Sequence, residues 1–255
     1  MIVRVPCLLL LCLSFQATAF RAYSMQAAVP PTARDLLHAW LDAQETGTHR
    51  LAAMTFTERA RRRSDGPTGT HTLEVESVVQ RRSDSETWDR QITVVRIDGH
   101  TSPYPHLPAT ELAWQAGRPE LGHLTQAIML PRRLLDRLDV SGPLVAETVD
   151  GIACWRFDGV PADPASPIER ITFWFTREGH HLLQTRVLLH EVERRGRRDL
   201  HTRLDVWHTY THLDGLDVPV HRRFQGTRQY VRRGRLFTDV VTFEAHYAGV
   251  ARFDR

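Results

Sequence analysis

The chain has no lysine: its 33 Lys+Arg residues are all Arg. Arg keeps its charge at any relevant pH and pairs with carboxylates through two parallel N–H bonds. The bias fits GC-rich codon usage, or an adaptation to salt or heat. It does not mark a nucleic-acid binder. Thirty acidic residues leave a formal net charge of only +3, and such binders carry a larger, clustered basic excess. Cysteine is scarce as well. Of the three present, Cys7 and Cys12 lie in the first nineteen residues, and only Cys154 belongs to the body of the chain. A single thiol forms no internal disulfide, so the fold must hold by its own core. Cys154 sits in Ile152-Ala153-Cys154-Trp155-Arg156-Phe157 and reads as a buried small hydrophobe rather than a reactive thiol.

Long hydrophobic runs are missing too. Crossing a bilayer as a helix takes about 20 apolar residues. The apolar core from Val5 to Phe15 has eleven. With Arg4 before it and Ala17-Thr18-Ala19 after it, Met1–Ala19 reads as a secretory signal cut before Phe20. Pro6 and Leu11 precede its cysteines, where a lipoprotein box needs a small residue. Residues 20–31 read as a flexible lead-in, and residues 32–255 as a single domain. The expected location is periplasmic or secreted.

Signatures of catalysis are absent. There is no Gly-x-Ser-x-Gly elbow. Gly66-Pro67-Thr68-Gly69 lacks the Lys of a phosphate loop, and His190-Glu191-Val192-Glu193 lacks the second His of a zinc-protease helix. Histidine itself is abundant, with eight of 14 from His180 onward. His208 and His212 share a strand face but lie about 13 Å apart, from about 3.3 Å per residue. One ion cannot bridge them. A metal site would have to be cross-strand, His190 with His201 or His208, and would need three or four ligands. Solvent-facing imidazoles are the default, so no catalytic residue, metal or cofactor is expected. The Arg59–Arg63 and Arg194–Arg198 runs read as solvated strand ends or hairpin tips, with anionic lipid headgroups as the alternative partner.

What is present is a strand pattern. Thr32 offers an N-cap with Asp35 three residues on. Leu36, Leu37, Trp40 and Leu41 follow at helical spacing, and Gly47 is the expected end of a helix of about 13 residues. Leu73, Val75, Ser77 and Val79 alternate with polar neighbours, and Trp88–Ile97 supplies another strand. This is the start of an antiparallel sheet with one wet face. Thr101–Pro143 breaks the regularity, because Pro103, Pro105 and Pro108 cannot sit in a central strand. It reads as a helical insertion lying over the sheet. A short helix is expected near Ala109–Gln115, and a second opens at Pro131 with Leu134, Leu135 and Leu138 on one side. Strands resume at Leu144–Val149 and Ile152–Phe157. A meander follows from Ile168 to Tyr247, with turns at Arg177-Glu178-Gly179, Asp214-Gly215 and Arg232-Arg233-Gly234-Arg235. The fold class is α+β, mainly β: a large curved antiparallel sheet with an N-terminal helix.

The order of elements, with Tyr210-Thr211-His212-Leu213-Asp214-Gly215-Leu216-Asp217-Val218-Pro219 and Gly226 near the end of the sheet, resembles the LolA-like superfamily of periplasmic lipoprotein carriers and envelope lipid-binding proteins. The resemblance implies an incomplete barrel of about eleven strands, its concave face covered by helices over an apolar cavity. Alternation supplies candidates for that cavity: Trp155 and Phe157; Ile171, Phe173 and Phe175; Leu204 and Val206; Val241 and Phe243. Leu37, Trp40, Leu41, Leu134, Leu135 and Leu138 are the lid candidates. An ordinary filled core is the alternative reading. The implied function is that of an exported soluble carrier or binding protein, not an enzyme. Its partner would be an acyl chain, a lipid or a lipidated protein of the cell envelope, with no nucleic acid and at most peripheral membrane contact. The alternatives are an envelope sensor or assembly protein using the same fold without a ligand, and a secreted hydrolase.

Overall fold

The computed structural model describes residues 31–67, 69–82, 89–103, 132–195, 198–232 and 234–254. Helix α1 spans Ala33–Arg50. Its start is the expected cap. Thr32 Oγ1 accepts from the Asp35 backbone N–H at 3.1 Å, and the Asp35 carboxylate accepts from the Thr32 backbone N–H at 3.1 Å. Two otherwise orphaned donors are thereby satisfied. Its end is not the expected one, because the helix runs through Gly47. A Cβ there would lie 2.9 Å from Leu216 Cγ. Glycine at this position lets the helix approach the sheet instead of stopping the helix.

Among the described residues the sheet has twelve strands: β1 Leu51–Gly66, β2 Gly69–Arg82, β3 Asp89–Ile97, β4 His100–Thr101, β5 Leu138–Asp139, β6 Val145–Val149, β7 Ile152–Pro161, β8 Ile168–Thr176, β9 Leu182–Arg195, β10 Arg198–Leu213, β11 Leu216–Arg232 and β12 Arg235–Asp254. Their spatial order is β4-β3-β2-β1-β12-β11-β10-β9-β8-β7-β5, with β6 also paired to β7. The sheet is open and antiparallel, one strand larger than the eleven expected. Three hairpins turn on Asp-Gly pairs at positive φ: Asp98-Gly99 (49° and 82°), Asp150-Gly151 (50° and 82°) and Asp214-Gly215 (48° and 85°). Two successive positive φ values match the right-handed twist of the strands they join, and Asp-Gly tolerates them best.

Of residues 101–143, the described part holds the helix expected after Pro131, but a shorter one. Helix α2 covers only Arg132–Leu135, and Leu138 already lies in β5, paired to Pro161 of β7. The Leu138 side chain reaches the core from a strand rather than from a helix face. The helix expected near 109–115 lies outside the described residues. So do the leader and residues 20–30 of the lead-in. No described helix is long and apolar enough to cross a membrane.

One face of the sheet, called inner here, carries the core and receives α1. In β1 the side chains of Met54, Phe56, Glu58, Ala60, Arg62 and Ser64 are buried, while those of Thr57, Arg59, Arg61 and Arg63 are exposed. The period of two is that of a strand with one wet face. The Arg59–Arg63 run is therefore not a strand end: it sits mid-strand, and Arg62 turns inward. Cys154 is buried as expected, and burial pushes its thiol up from the ordinary range.

Candidate functional site

Every cavity candidate and every lid candidate falls in one apolar cluster on the inner face. Phe157, Ile171, Phe173, Phe175, Val206, Val241 and Phe243 are buried in it, and Trp155 and Leu204 pack against it half-buried. From the cover, Leu37, Leu41, Leu135 and Leu138 are buried, with Trp40 and Leu134 packed alongside. Rings dominate the centre. Phe157 stacks on Phe173 at 5.1 Å and on Phe175 at 5.7 Å between centroids, and Trp40 of α1 meets Phe175 edge-on at 6.1 Å. Phe224 stacks on Phe243 at 4.8 Å, and Phe56 meets Tyr247 edge-on at 5.4 Å. Such pairs add about 0.5–1.5 kcal/mol beyond their buried area.

The cluster abuts a buried polar seam, which alternation alone does not reveal. Glu58 on β1 accepts from Ser77 Oγ at 3.1 Å and pairs with Arg90 Nη2 at 2.7 Å. Arg222 on β11 lies beside Tyr247, Glu58 and Tyr210, with its guanidinium 5.7 Å from the Phe243 ring centre. Burial lowers the Arg222 pKa and raises those of Tyr210 and Tyr247 to about 12. His208, also buried here, is within 3.2 Å of Thr185 Oγ1 through Nδ1. Desolvation, helped by the Arg222 charge, pushes His208 down to about 3. It is therefore neutral at neutral pH.

That shift has a sign. An unfolded histidine titrates near 6.5. Between that value and about 3, the unfolded chain binds a proton that folded His208 refuses. Its contribution to stability is complete above the unfolded value and is lost as pH falls, at up to about 1.4 kcal/mol per pH unit. From pH 7 to pH 5 the loss from this one group should be about 2 kcal/mol. His208→Gln should flatten the fall by that amount in urea unfolding at the two pH values. An unchanged slope would contradict a buried, neutral His208.

Asp217 ties the cover to the sheet. It lies on β11, directly after the β10–β11 turn, and is 1% exposed. Its Oδ2 accepts from Trp40 Nε1 of α1 at 2.9 Å and from the Leu182 backbone N–H at 2.8 Å. Its Oδ1 is 2.8 Å from His212 Nδ1 and 3.8 Å from His181 Nδ1. None of the three stood out as a site in the sequence, since His181 and His212 are 31 positions apart. The cross-strand pairing expected for His190 is half met. Its ring lies 6.1 Å from that of His201, whereas His208 is buried on the inner face, away from both.

The outer face carries a groove of about 530 Å³ across β8–β12, with Leu188, Asp205, Gln225, Val240 and Thr242 in its lining. It crosses the sheet at Gly226. There a Cβ would collide with the Arg203 carbonyl oxygen, so only glycine allows the strands this close an approach.

An open antiparallel sheet with an N-terminal helix seated on its apolar face is the architecture that the resemblance implied. The sheet is open and antiparallel, with α1 packed on its inner face. No protein-family model and no curated protein matches the sequence. Among solved structures, the chain is similar to a Vibrio parahaemolyticus domain provisionally named an outer membrane lipoprotein-sorting protein. That match has 8% identity and a TM-score of 0.38, and covers 85% of this chain and 93% of that one. A DUF1329 family protein from Desulfovibrio piger matches at 12% identity and 0.34, over 85% and 92%. A LolA superfamily protein from Nitrosomonas europaea matches at 11% and 0.31, over 88% and 94%. At these values the likeness says nothing of ligand, partner or activity.

Proposed function

We propose that this chain is an exported envelope protein that binds an acyl chain or lipid between its sheet and α1, and acts by binding rather than catalysis. The observation that carries the reading is the amphipathic inner face. A floor of stacked aromatic rings runs directly into a seam holding buried Arg222 and Glu58 with half-buried Arg90. An apolar tail matches the floor, and an anionic headgroup matches the cationic part of the seam. Ligand sites typically combine an apolar lining with a few placed polar groups, and each buried CH₂ contributes about 0.8 kcal/mol. Helix α1 is the movable part. It meets the sheet through side chains, with Trp40 hydrogen-bonded to Asp217, and can lift without breaking a strand pairing.

Native mass spectrometry of the purified protein, with organic extraction and titration of a fluorescent fatty acid, is the test. A co-purifying lipid and saturable probe binding are expected, with binding weakened about tenfold or more in Arg222→Met. Repeated preparations free of lipid, with no probe binding, would sink the reading. One observation favours a second reading, a sensor or assembly protein without a ligand. The inner face described here is filled by the protein's own side chains. In that case the mass spectra stay lipid-free and an envelope protein is captured instead.

A further inference from the structure

Among the described residues, two groups place three His or carboxylate ligand atoms within 4.8 Å of one another. They are His221, Glu244 and His246 on the outer face, and His181, His212 and Asp217 at the edge of α1. The groups differ in how the carboxylate is held. The Glu244 side chain is 58% exposed, and its strand neighbour across the β11–β12 pair is Arg223. The Glu244 Oε1 lies 3.0 Å from His221 Nε2 and 3.5 Å from His246 Nε2, but no described hydrogen bond commits its other oxygen. Asp217 is buried, and its Oδ2 is already committed to two N–H donors, Trp40 Nε1 and the Leu182 backbone.

Those two bonds leave Oδ1 presented to the imidazoles. His212 Nδ1 lies 2.8 Å from it and His181 Nδ1 3.8 Å. The two rings lie against each other, 3.6 Å between centroids, so both Nδ1 atoms converge on the same oxygen. Metal-ligating carboxylates and imidazoles are typically oriented in this way by hydrogen bonds to their other atoms. The histidine side chains are 40% and 37% exposed, which gives an ion a way in and leaves room for water to complete its shell.

We propose that His181 Nδ1, His212 Nδ1 and Asp217 Oδ1 form a binding site for a divalent transition-metal ion, with Zn²⁺ the best match. Two imidazoles and one carboxylate suit Zn²⁺ at about 2.0–2.2 Å per ligand, whereas Mg²⁺ and Ca²⁺ require mostly oxygen. Binding uses the lone pair of Nδ1 on each ring, so each neutral imidazole carries its one proton on Nε2 in the metal-bound state. The ion joins His181, directly before β9, to the end of β10 and the start of β11. Through the Asp217–Trp40 bond it also bears on the seating of α1. The site stands on these three side chains alone and does not depend on what the inner face binds.

The test is isothermal titration of the chelator-stripped full chain with ZnCl₂, followed in parallel by the imidazole NMR signals of the wild type. One ion per chain is expected, with the His181 and His212 signals shifting together. Affinity should drop about tenfold or more in His212→Gln and in His181→Gln, and stay within twofold in the double variant His221→Gln/His246→Gln. No heat and no shift of these two histidines up to millimolar Zn²⁺ would overturn the proposal. So would binding abolished by the His221/His246 variant and kept by the other two. The wild-type NMR arm decides the matter even if a His181 or His212 variant fails to fold.

Discussion

Phe173→Ala should lower folding stability by about 3–5 kcal/mol. Phe173 is completely buried at the centre of the inner face, with Phe157 stacked on one side and Phe175 packed nearby. Its strand pairs with β7 on one side and β9 on the other, so the surrounding backbone is held by two ladders and cannot collapse into the space left. The cost therefore combines the lost transfer energy of the ring with that of an unfilled cavity. Denaturant unfolding measures it as a drop in midpoint at unchanged slope. A loss of less than about 1 kcal/mol would contradict close packing at this position. The same variant bears on function. If an acyl chain enters this face, the vacated volume should strengthen binding of the fluorescent fatty acid even as the protein loses stability.

The second large effect is expected from Asp217→Ala, on the order of 3 kcal/mol. Removing the carboxylate strands the Trp40 indole N–H and the Leu182 amide, and each unsatisfied buried donor costs about 1–3 kcal/mol. The cost should fall unevenly. Strands β10 and β11 keep their ladder, while α1 loses the Trp40 bond to the sheet and keeps only the bond that Gln44 Oε1 accepts from the residue 217 backbone N–H among those described. Hydrogen exchange should therefore speed up along Ala33–Arg50 more than in β10 or β11. Asp217→Asn keeps an acceptor oxygen and should restore part of the protection. Unchanged exchange in α1 would remove Asp217 from the account of how the helix is held.

Much of this architecture is legible in local chemistry. The Thr32–Asp35 cap and the Asp-Gly turns are decided within a few residues, and each is found where the residue types require it. Face assignment is equally local: once Ile171, Phe173 and Phe175 are in a strand, alternation sends all three to one side. What stays hidden depends on distance along the chain. Trp40 and Asp217 meet across 177 positions. Gly47 reads as a helix stop until Leu216 is known to lie beneath it. Leu138 reads as helical until its pairing with Pro161 is seen. The polar seam escaped for a different reason. Glu58 and Arg222 occupy inward positions that an apolar-polar pattern assigns to solvent, and the partners they find across the seam offset the cost of their burial.

The pairing of β1 with β12 sets the order in which this protein can be made. The two strands run side by side from Leu51 opposite Asp254 to Asp65 opposite Val240, in the middle of the sheet. A chain growing from its N-terminus can form the β1–β2 hairpin early, but the partner for the other edge of β1, β12, is the last of the described strands in chain order. Until it arrives, β1 presents a long row of unmatched amides and carbonyls, the condition that favours pairing with a stranger. Non-local closure of this kind is slow. A stalled or truncated chain would thus lose the seam on which both halves of the sheet depend, and would expose the template for aggregation when no correct partner exists.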